Sequence, residues 1–353
     1  MEYKEIQVQR SPLITLLSAL LLTAVAQCSY ADQQVIDEGE RRARSAGAAL
    51  VGKPAPNAVL TSIDGERIDL AQLYGKKPVY LKFWATWCVP CRQQMPGFEA
   101  IEQSLGEQIE VIAVNTGFSD DAESIRAYRK ELGLSMPVVV DDGSLAAALN
   151  LRVTPMHVLI GRDGRIAYIG HLDDAPLHAA LAELLKNEAA EKTADTGSAE
   201  AIPTFKVGDK VQGLQATTLD QHLINLDEPA GKPRALVFFA PWCESYLEQS
   251  RPQTSQACKR VRETVDELTA SSDAEWLGVS SGLWVSREDL QEYADTSKPN
   301  LPLALDESDA LFRAFAIRDI PSVVLLDRQG RVKRILGPQD TQLKEALHEL
   351  SAR

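Results

Sequence analysis

The chain has 353 residues, 44% hydrophobic and 25% charged, a globular composition with length enough for two domains that each bury a core. Its formal net charge of −13, with no basic cluster, argues against nucleic acid or anionic membrane surfaces as partners. Of its five cysteines two form a Cys-x-x-Cys, and the chain has no second such pair and no His-x-x-x-His, so a zinc site lacks ligands.

At the N-terminus Lys4 and Arg10 precede an apolar run from Leu13 to Ala26, too short for a comfortable transmembrane helix. Ser29-Tyr30-Ala31 then supplies a small-x-small cleavage pattern. Residues 1–31 therefore read as a signal peptide, cut after Ala31, that exports the chain to the periplasm. Membrane attachment would need lipidation of Cys28 or an uncleaved signal.

Downstream, Val59 to Leu70 is a hairpin turning at Asp64-Gly65, and Val79 to Trp84 is an apolar strand that runs straight into Trp87-Cys88-Val89-Pro90-Cys91. A helix follows from there, with Pro96 expected to kink it. Ile109 to Asn115 is a buried strand, and Ala122 to Leu132 an amphipathic helix stopped by Gly133. Pro137 to Asp141 is a short strand and Leu145 to Leu149 a short helix. Thr154-Pro155 heads the strand Met156 to Ile160, a candidate cis peptide. Asp163-Gly164 turns into Ile166 to Ile169, and Pro176 to Lys186 is a closing helix. Residues 188–202 are small, polar and charged without apolar period, a linker between a domain at 50–187 and one at 203–353.

The chemistry sits at the Cys-x-x-Cys. The first turn of a helix leaves N–H groups unpaired and carries the positive end of the dipole. An exposed Cys88 there favours its thiolate, and Cys91, three residues on, lies on the same face and can close onto it. A strand ending in Phe-Trp-Ala-Thr-Trp-Cys, the Cys-x-x-Cys and the later Thr154-Pro155 together resemble the thioredoxin superfamily, most of all its TlpA/ResA branch of periplasmic thiol-disulfide oxidoreductases. The resemblance covers roughly Gly52 to Leu185. It implies an α/β fold, a central mixed sheet flanked by helices, with Val59 to Leu70 as the branch's extra N-terminal hairpin. It also implies that Thr154 and Pro155 pack beside the dithiol and, with Trp87, receive the substrate backbone. The redox-active disulfide Cys88–Cys91 would need no other cofactor.

Six residues before Cys88, where proteins of this type often place a buried acid or amide that relays the second thiol's proton, stands Lys82. A lysine beneath Cys91 favours its thiolate or, once desolvated, takes its proton; alternatively it snorkels to the sheet edge. His157 reads as a strand surface residue, since this chemistry needs no base there.

The chain then repeats itself. Lys77-Pro78 through Trp87-Cys88 matches Lys232-Pro233 through Trp242-Cys243, and Thr154-Pro155 matches Ile320-Pro321. The offset is 155 residues at the cysteine and 166 at the proline, so the second copy holds eleven more between them, expected around Ser271 to Ser286. Phe205 to Leu226 matches the first hairpin, so the expected architecture is two tandem thioredoxin-like domains, each with its N-terminal hairpin. Tyr246 occupies the second cysteine's place and Val237 that of Lys82, which reads as a degenerate site that binds partners beside Ile320-Pro321 without turnover. One helix spanning Cys243 and Cys258 would hold them about 22 Å apart, leaving Cys258 a small buried apolar residue. A break at Arg251-Pro252 would fold the chain back and allow a bond.

The function expected is disulfide exchange with protein substrates, in the reducing direction, with Cys88 attacking, Cys91 resolving and an upstream redox partner recharging the pair. A non-catalytic partner-binding protein is the alternative. A thiol peroxidase is a further one, with Thr86 two residues before Cys88 but the Cys-x-x-Cys spacing against it.

Overall fold

A computed structural model describes residues 37–186, 202–229 and 231–351. The expected signal peptide, Cys28 and nearly all of the expected linker lie outside the described residues. Gly39–Arg353 form one compact unit.

That unit contains two five-stranded mixed sheets of the same plan. The first comprises β3 (Val79–Trp84), β4 (Glu110–Asn115), β5 (Val138–Val140), β6 (Met156–Ile160) and β7 (Ile166–Gly170), in the order β5-β4-β3-β6-β7. Strands β3, β4 and β5 are parallel; β6 and β7 join antiparallel. Being covered on both faces, β3 and β6 are buried along their whole length, which explains their unbroken apolar runs. The helices are α1 (Glu38–Gly47), α2 (Leu70–Leu73), α3 (Val89–Leu105), α4 (Ala122–Leu132), α5 (Ser144–Ala148) and α6 (Ala175–Lys186). Helix α4 starts on an Asp121/Ser124 capping box and ends on Gly133 at φ +64, as the sequence expects. Helix α3 runs through Pro96 without a break.

The second sheet, β12-β11-β10-β13-β14, repeats this plan with β10 (Arg234–Phe239), β11 (Glu275–Ser281), β12 (Leu303–Asp306), β13 (Ser322–Leu326) and β14 (Val332–Leu336). Each copy carries its hairpin, β1 (Val59–Thr61) with β2 (Arg67–Asp69), and β8 (Gln215–Thr217) with β9 (Leu223–Asn225). Each hairpin reaches its sheet by the same isolated bridge, Ser62 to Val139 and Thr218 to Ala304. The peptides Thr154-Pro155 and Ile320-Pro321 are both cis.

The copies differ between the first cysteine position and the next sheet strand. The first cysteine position precedes the next strand by 22 residues in copy one (Cys88 to Glu110) and by 32 in copy two (Cys243 to Glu275). Ten of the eleven extra residues therefore lie before β11, not around Ser271 to Ser286 as expected. They turn one helix into a hairpin of two, α7 (Cys243–Ser250) and α8 (Pro252–Ser271). Pro252 has no N–H to continue α7 and opens α8, where none is needed. The fold-back brings Cys243 and Cys258 to a Cα separation of 6.3 Å, joined by a disulfide. This corrects the reading of Cys258 as a lone apolar residue. The remaining described helices are α9 (Arg287–Ser297), α10 (Ala310–Ala314) and α11 (Leu343–Ser351).

Candidate functional site

Cys88 caps α3. Its sulfur accepts the Cys91 N–H at 3.2 Å, lies 3.4 Å from the Thr154 carbonyl oxygen and is bonded to Cys91. Strand β3 delivers Cys88 and the loop into β6 delivers Thr154 and Pro155; because these strands are direct neighbours in the sheet, residues 66 apart in sequence meet. Trp87 donates its Nε1–H to the Phe118 carbonyl at 2.8 Å, tying the dithiol turn to the loop after β4.

Beneath the turn, on the central strand, Lys82 is fully buried, so it does not reach the sheet edge. Burial lowers its pKa from the usual 10.5 to about 7, against a smaller opposing pull from Asp173. Its Nζ lies 3.4 Å from Gln94 Oε1, one helical turn beyond Cys91, and 5.3 Å from the centre of the Phe98 ring. Opposite Lys82 in the sheet is His157, which is also buried and not on the surface as expected. Burial, with Lys82 next in effect, holds its pKa well below the usual value, so the ring is neutral. Its Nε2 meets Gln94 Oε1 and its Nδ1 meets Tyr80 Oη, both at 2.8 Å. With Gln94 accepting, Nε2 carries the proton and Nδ1 accepts from the tyrosine hydroxyl. Gln94 Nε2 donates to the His171 carbonyl, and His171 Nδ1 sits 2.7 Å from the Pro155 carbonyl oxygen. A polar chain thus runs from Lys82 to the proline beside the disulfide.

Over this site lies the second copy. Trp87 stacks on Trp242 with ring centres 5.4 Å apart, and Tyr246 stands edge-on to both rings. Tyr246 Oη accepts the Val89 N–H at 3.2 Å. Trp284 donates its backbone N–H to the Arg152 carbonyl at 2.8 Å, and its Nε1 lies 3.4 Å from Thr154 Oγ1. Arg251 pairs with Asp120 at 2.9 Å and also donates to Thr86 Oγ1.

One contact across the join has a mirrored counterpart, and so does one contact within each copy. Ser119 N–H donates to the Arg318 carbonyl as Trp284 N–H donates to that of Arg152. Trp242 Nε1–H donates to the Leu283 carbonyl as Trp87 Nε1–H donates to that of Phe118. In each copy the loop after the second sheet strand lies against the arginine three residues before the other copy's cis-proline. A Cβ on Gly282 would meet the Arg152 guanidinium, which would have to shift to admit it. The two copies therefore face one another through equivalent surfaces, and one apolar cluster runs through both.

The expectation of an exposed Cys88 is corrected by this packing: Cys88 is 1% exposed, and Cys91 and Thr154 are fully buried. In the second copy Cys243 is equally covered, Val237 stands where Lys82 stands, and Ile320 is buried. Tyr246 and Trp242 serve as the covering aromatics, and Pro321 and Cys258 line one apolar cavity. Sequence reasoning missed Gln94, His171, Arg251 and Trp284, because each acts across a distance that no motif encodes. The match of Trp87-Cys88 with Trp242-Cys243 was the one available hint of the facing arrangement.

Comparison with known proteins agrees with this architecture. Residues 51–169 match the AhpC/TSA family, and residues 231–332 match a thioredoxin-like family. The thioredoxin-like protein YneN of Bacillus subtilis is 34% identical over 116 residues, 33% of this chain and 68% of that protein. The thiol-disulfide oxidoreductase ResA of Halalkalibacterium halodurans is 37% identical over 123 residues, 34% of this chain and 68% of that protein. ResA of Bacillus subtilis is 34% identical over 131 residues, 36% of this chain and 72% of that protein. The matched segments thus span about two thirds of those relatives and about a third of this chain.

Proposed function

We propose that this chain, which belongs to the thioredoxin-like thiol-disulfide oxidoreductase family of ResA, works outside the cytoplasm as a reductant of protein disulfides. The observation that carries this reading is the Cys88–Cys91 disulfide on the first turn of α3, with the Cys88 sulfur against the Thr154 carbonyl. In the reduced protein the Cys91 N–H and the helix terminus stabilise a Cys88 thiolate. That thiolate attacks one sulfur of a substrate disulfide and displaces the other as a thiolate. Cys91 then loses its proton, attacks the Cys88 sulfur and releases the substrate's second thiolate, leaving Cys88–Cys91 oxidised. Lys82, held near neutrality by burial, is suited to take up that proton. Trp87, Thr154 and Pro155 form the surface that receives substrate, and an upstream dithiol partner restores the reduced pair. The extracytoplasmic address rests on the N-terminal apolar segment, and the direction of electron flow on the family resemblance.

A buried Cys88 reaches no protein substrate, so turnover includes separation of the second domain from Trp87. In this reading the second domain is a cap, and Tyr246, Ile320 and Pro321 belong to its binding face rather than to a dithiol cycle like that of the first.

The test is mechanism-based trapping. Cys91→Ser should accumulate mixed disulfides with a reducible protein such as insulin, and Cys88→Ser should not. Equal trapping by both variants would overturn the assignment. A thiol peroxidase is the second reading, favoured by the Arg251 contact to Thr86 and by the match to the AhpC/TSA family. Peroxide consumption that outpaces insulin reduction would select it.

A further inference from the structure

Cys243 and Cys258 have no part in the exchange just described, yet Cys243 keeps the position of Cys88 after a tryptophan at a helix start. Cys243 follows a tryptophan at the end of the central strand and is the first residue of α7, where a thiolate is stabilised by free N–H groups. Its partner comes from α8 instead of the next turn, because Tyr246 has taken the usual place. Cys258 lines a largely apolar cavity that also touches Val237, Ala240, Pro321 and the Glu244–Arg262 ion pair. A cleaved Cys258 has space to move into on this side. On the other side, the chain on both flanks of Cys88 rests on Trp242, just before Cys243, and on Tyr246, one helical turn after it. Trp87 stacks on Trp242, and the Val89 N–H binds Tyr246. Cys88 and Cys243 are both 1% exposed and belong to the same apolar cluster, with Trp87 and Trp242, the residues before them, stacked on one another.

We propose that Cys243–Cys258 is a second redox-active disulfide, and that the Cys88–Cys91 dithiol of the same chain exchanges electrons with it. The inference rests on the reading of Cys88–Cys91 as the working pair. Starting from that pair reduced, the Cys88 thiolate attacks the Cys243 sulfur. The Cys243–Cys258 bond breaks and Cys258 leaves as a thiolate, which takes a proton. Cys91 gives up its proton and attacks the Cys88 sulfur, and Cys243 leaves as the second thiolate. Two electrons pass from the first centre to the second; one disulfide is lost and one is formed. Aromatic side chains line the join, so exchange accompanies a shift of Trp87 and Trp242 rather than full exposure to solvent. The second domain is then an internal disulfide substrate as well as a cap.

Two measurements on the full chain test this. In the first, wild-type protein is equilibrated in glutathione buffers of graded poise, quenched by alkylation and mapped by peptide mass, with circular dichroism confirming the fold. Cys243 and Cys258 should become alkylated while the chain is still folded. If they remain bonded until the protein unfolds, the bridge is a structural staple and the proposal fails. In the second, the Cys91→Ser/Cys258→Ser variant is treated with oxidised glutathione. Most chains should acquire an internal Cys88–Cys243 disulfide, which is absent when Cys88 is also replaced. Separate glutathione adducts on the two cysteines of a folded variant, with no internal bond, also overturn it. Cycling of Cys88–Cys91 alone would remove this inference and leave the reading above intact, whereas failure of Cys88–Cys91 to cycle would remove both.

Discussion

If the second domain caps the dithiol, weakening its hold should expose Cys88 without touching a sulfur, and Arg251 is the place to do so. Its guanidinium reaches Asp120, Thr86 Oγ1 and, at 3.4 Å, the Ser119 carbonyl, all in the first domain. The Asp120 side chain is fully buried, whereas that of Arg251 is 30% exposed. Stranding a buried charge outright costs about 3–5 kcal/mol. In Arg251→Ala the carboxylate is not stranded, because it still accepts from the Thr86 N–H and from Asn115 Nδ2, each at 2.8 Å. The loss is therefore closer to that of hydrogen bonds to a charged group, about 2 kcal/mol once solvent access to the arginine is allowed for. That figure lowers the closed-to-open ratio about 30-fold. The assay is the rate at which iodoacetamide labels the Cys88 peptide in reduced protein at neutral pH. While opening is rare and fast, this rate scales with the open fraction, so it should rise about 30-fold in Arg251→Ala. An unchanged rate in a variant whose fold and thiolate titration match the wild type would refute the capping argument.

Further outcomes follow from buried charge. Lys82→Met should abolish a proton-linked step near pH 7 in the resolution of mixed disulfides, read from the pH profile of release from Cys88; an unshifted profile would remove Lys82 from the proton path. The same variant should be more stable than the wild type at pH 7, because burial drops the lysine's folded pKa from 10.5 to about 7. Between those values the unfolded chain binds more protons, so this group makes stability rise with pH from about 7 to about 10.5. Asp306 and Asp309 act on the other side of neutrality. Burial lifts them from 3.8 to about 6 and about 7, the neighbouring carboxyl adding to the shift of Asp309. Here the folded chain binds more protons, so their contribution falls as pH rises from about 4 to about 7. Asp309→Asn should flatten the acid limb of a thermal stability profile and Lys82→Met its alkaline limb; limbs unchanged by both would refute these assignments.

Much of this protein was written locally. The alternation of apolar strands with helical patterns, the hairpin turns and the Gly133 stop are short-range signals, and the sheets form where those signals put them. Cys88 and Cys91 needed only their spacing and the strand before them to be recognised as a pair. The duplication was legible because the second copy keeps the tryptophan, cysteine and proline landmarks in order.

What tertiary structure alone decided depends on distances between segments far apart in the chain. Whether Cys258 reaches Cys243 turned on the direction in which α8 leaves Pro252, and proline signals a break without giving the angle. The burial of His157 and Lys82 was hidden because a polar residue within an apolar strand looks the same whether water or Gln94 meets it. The burial of Cys88 was hidden for a related reason. A helix terminus is exposed by default, and only the seating of Trp242, Tyr246 and Trp284 over it, from more than 150 residues away, removes the solvent. Local sequence specified two thioredoxin-like folds, each with a reactive face. That the two faces bury one another follows from aromatic stacking, the Arg251–Asp120 pair and shape, terms that exist only once both domains are folded.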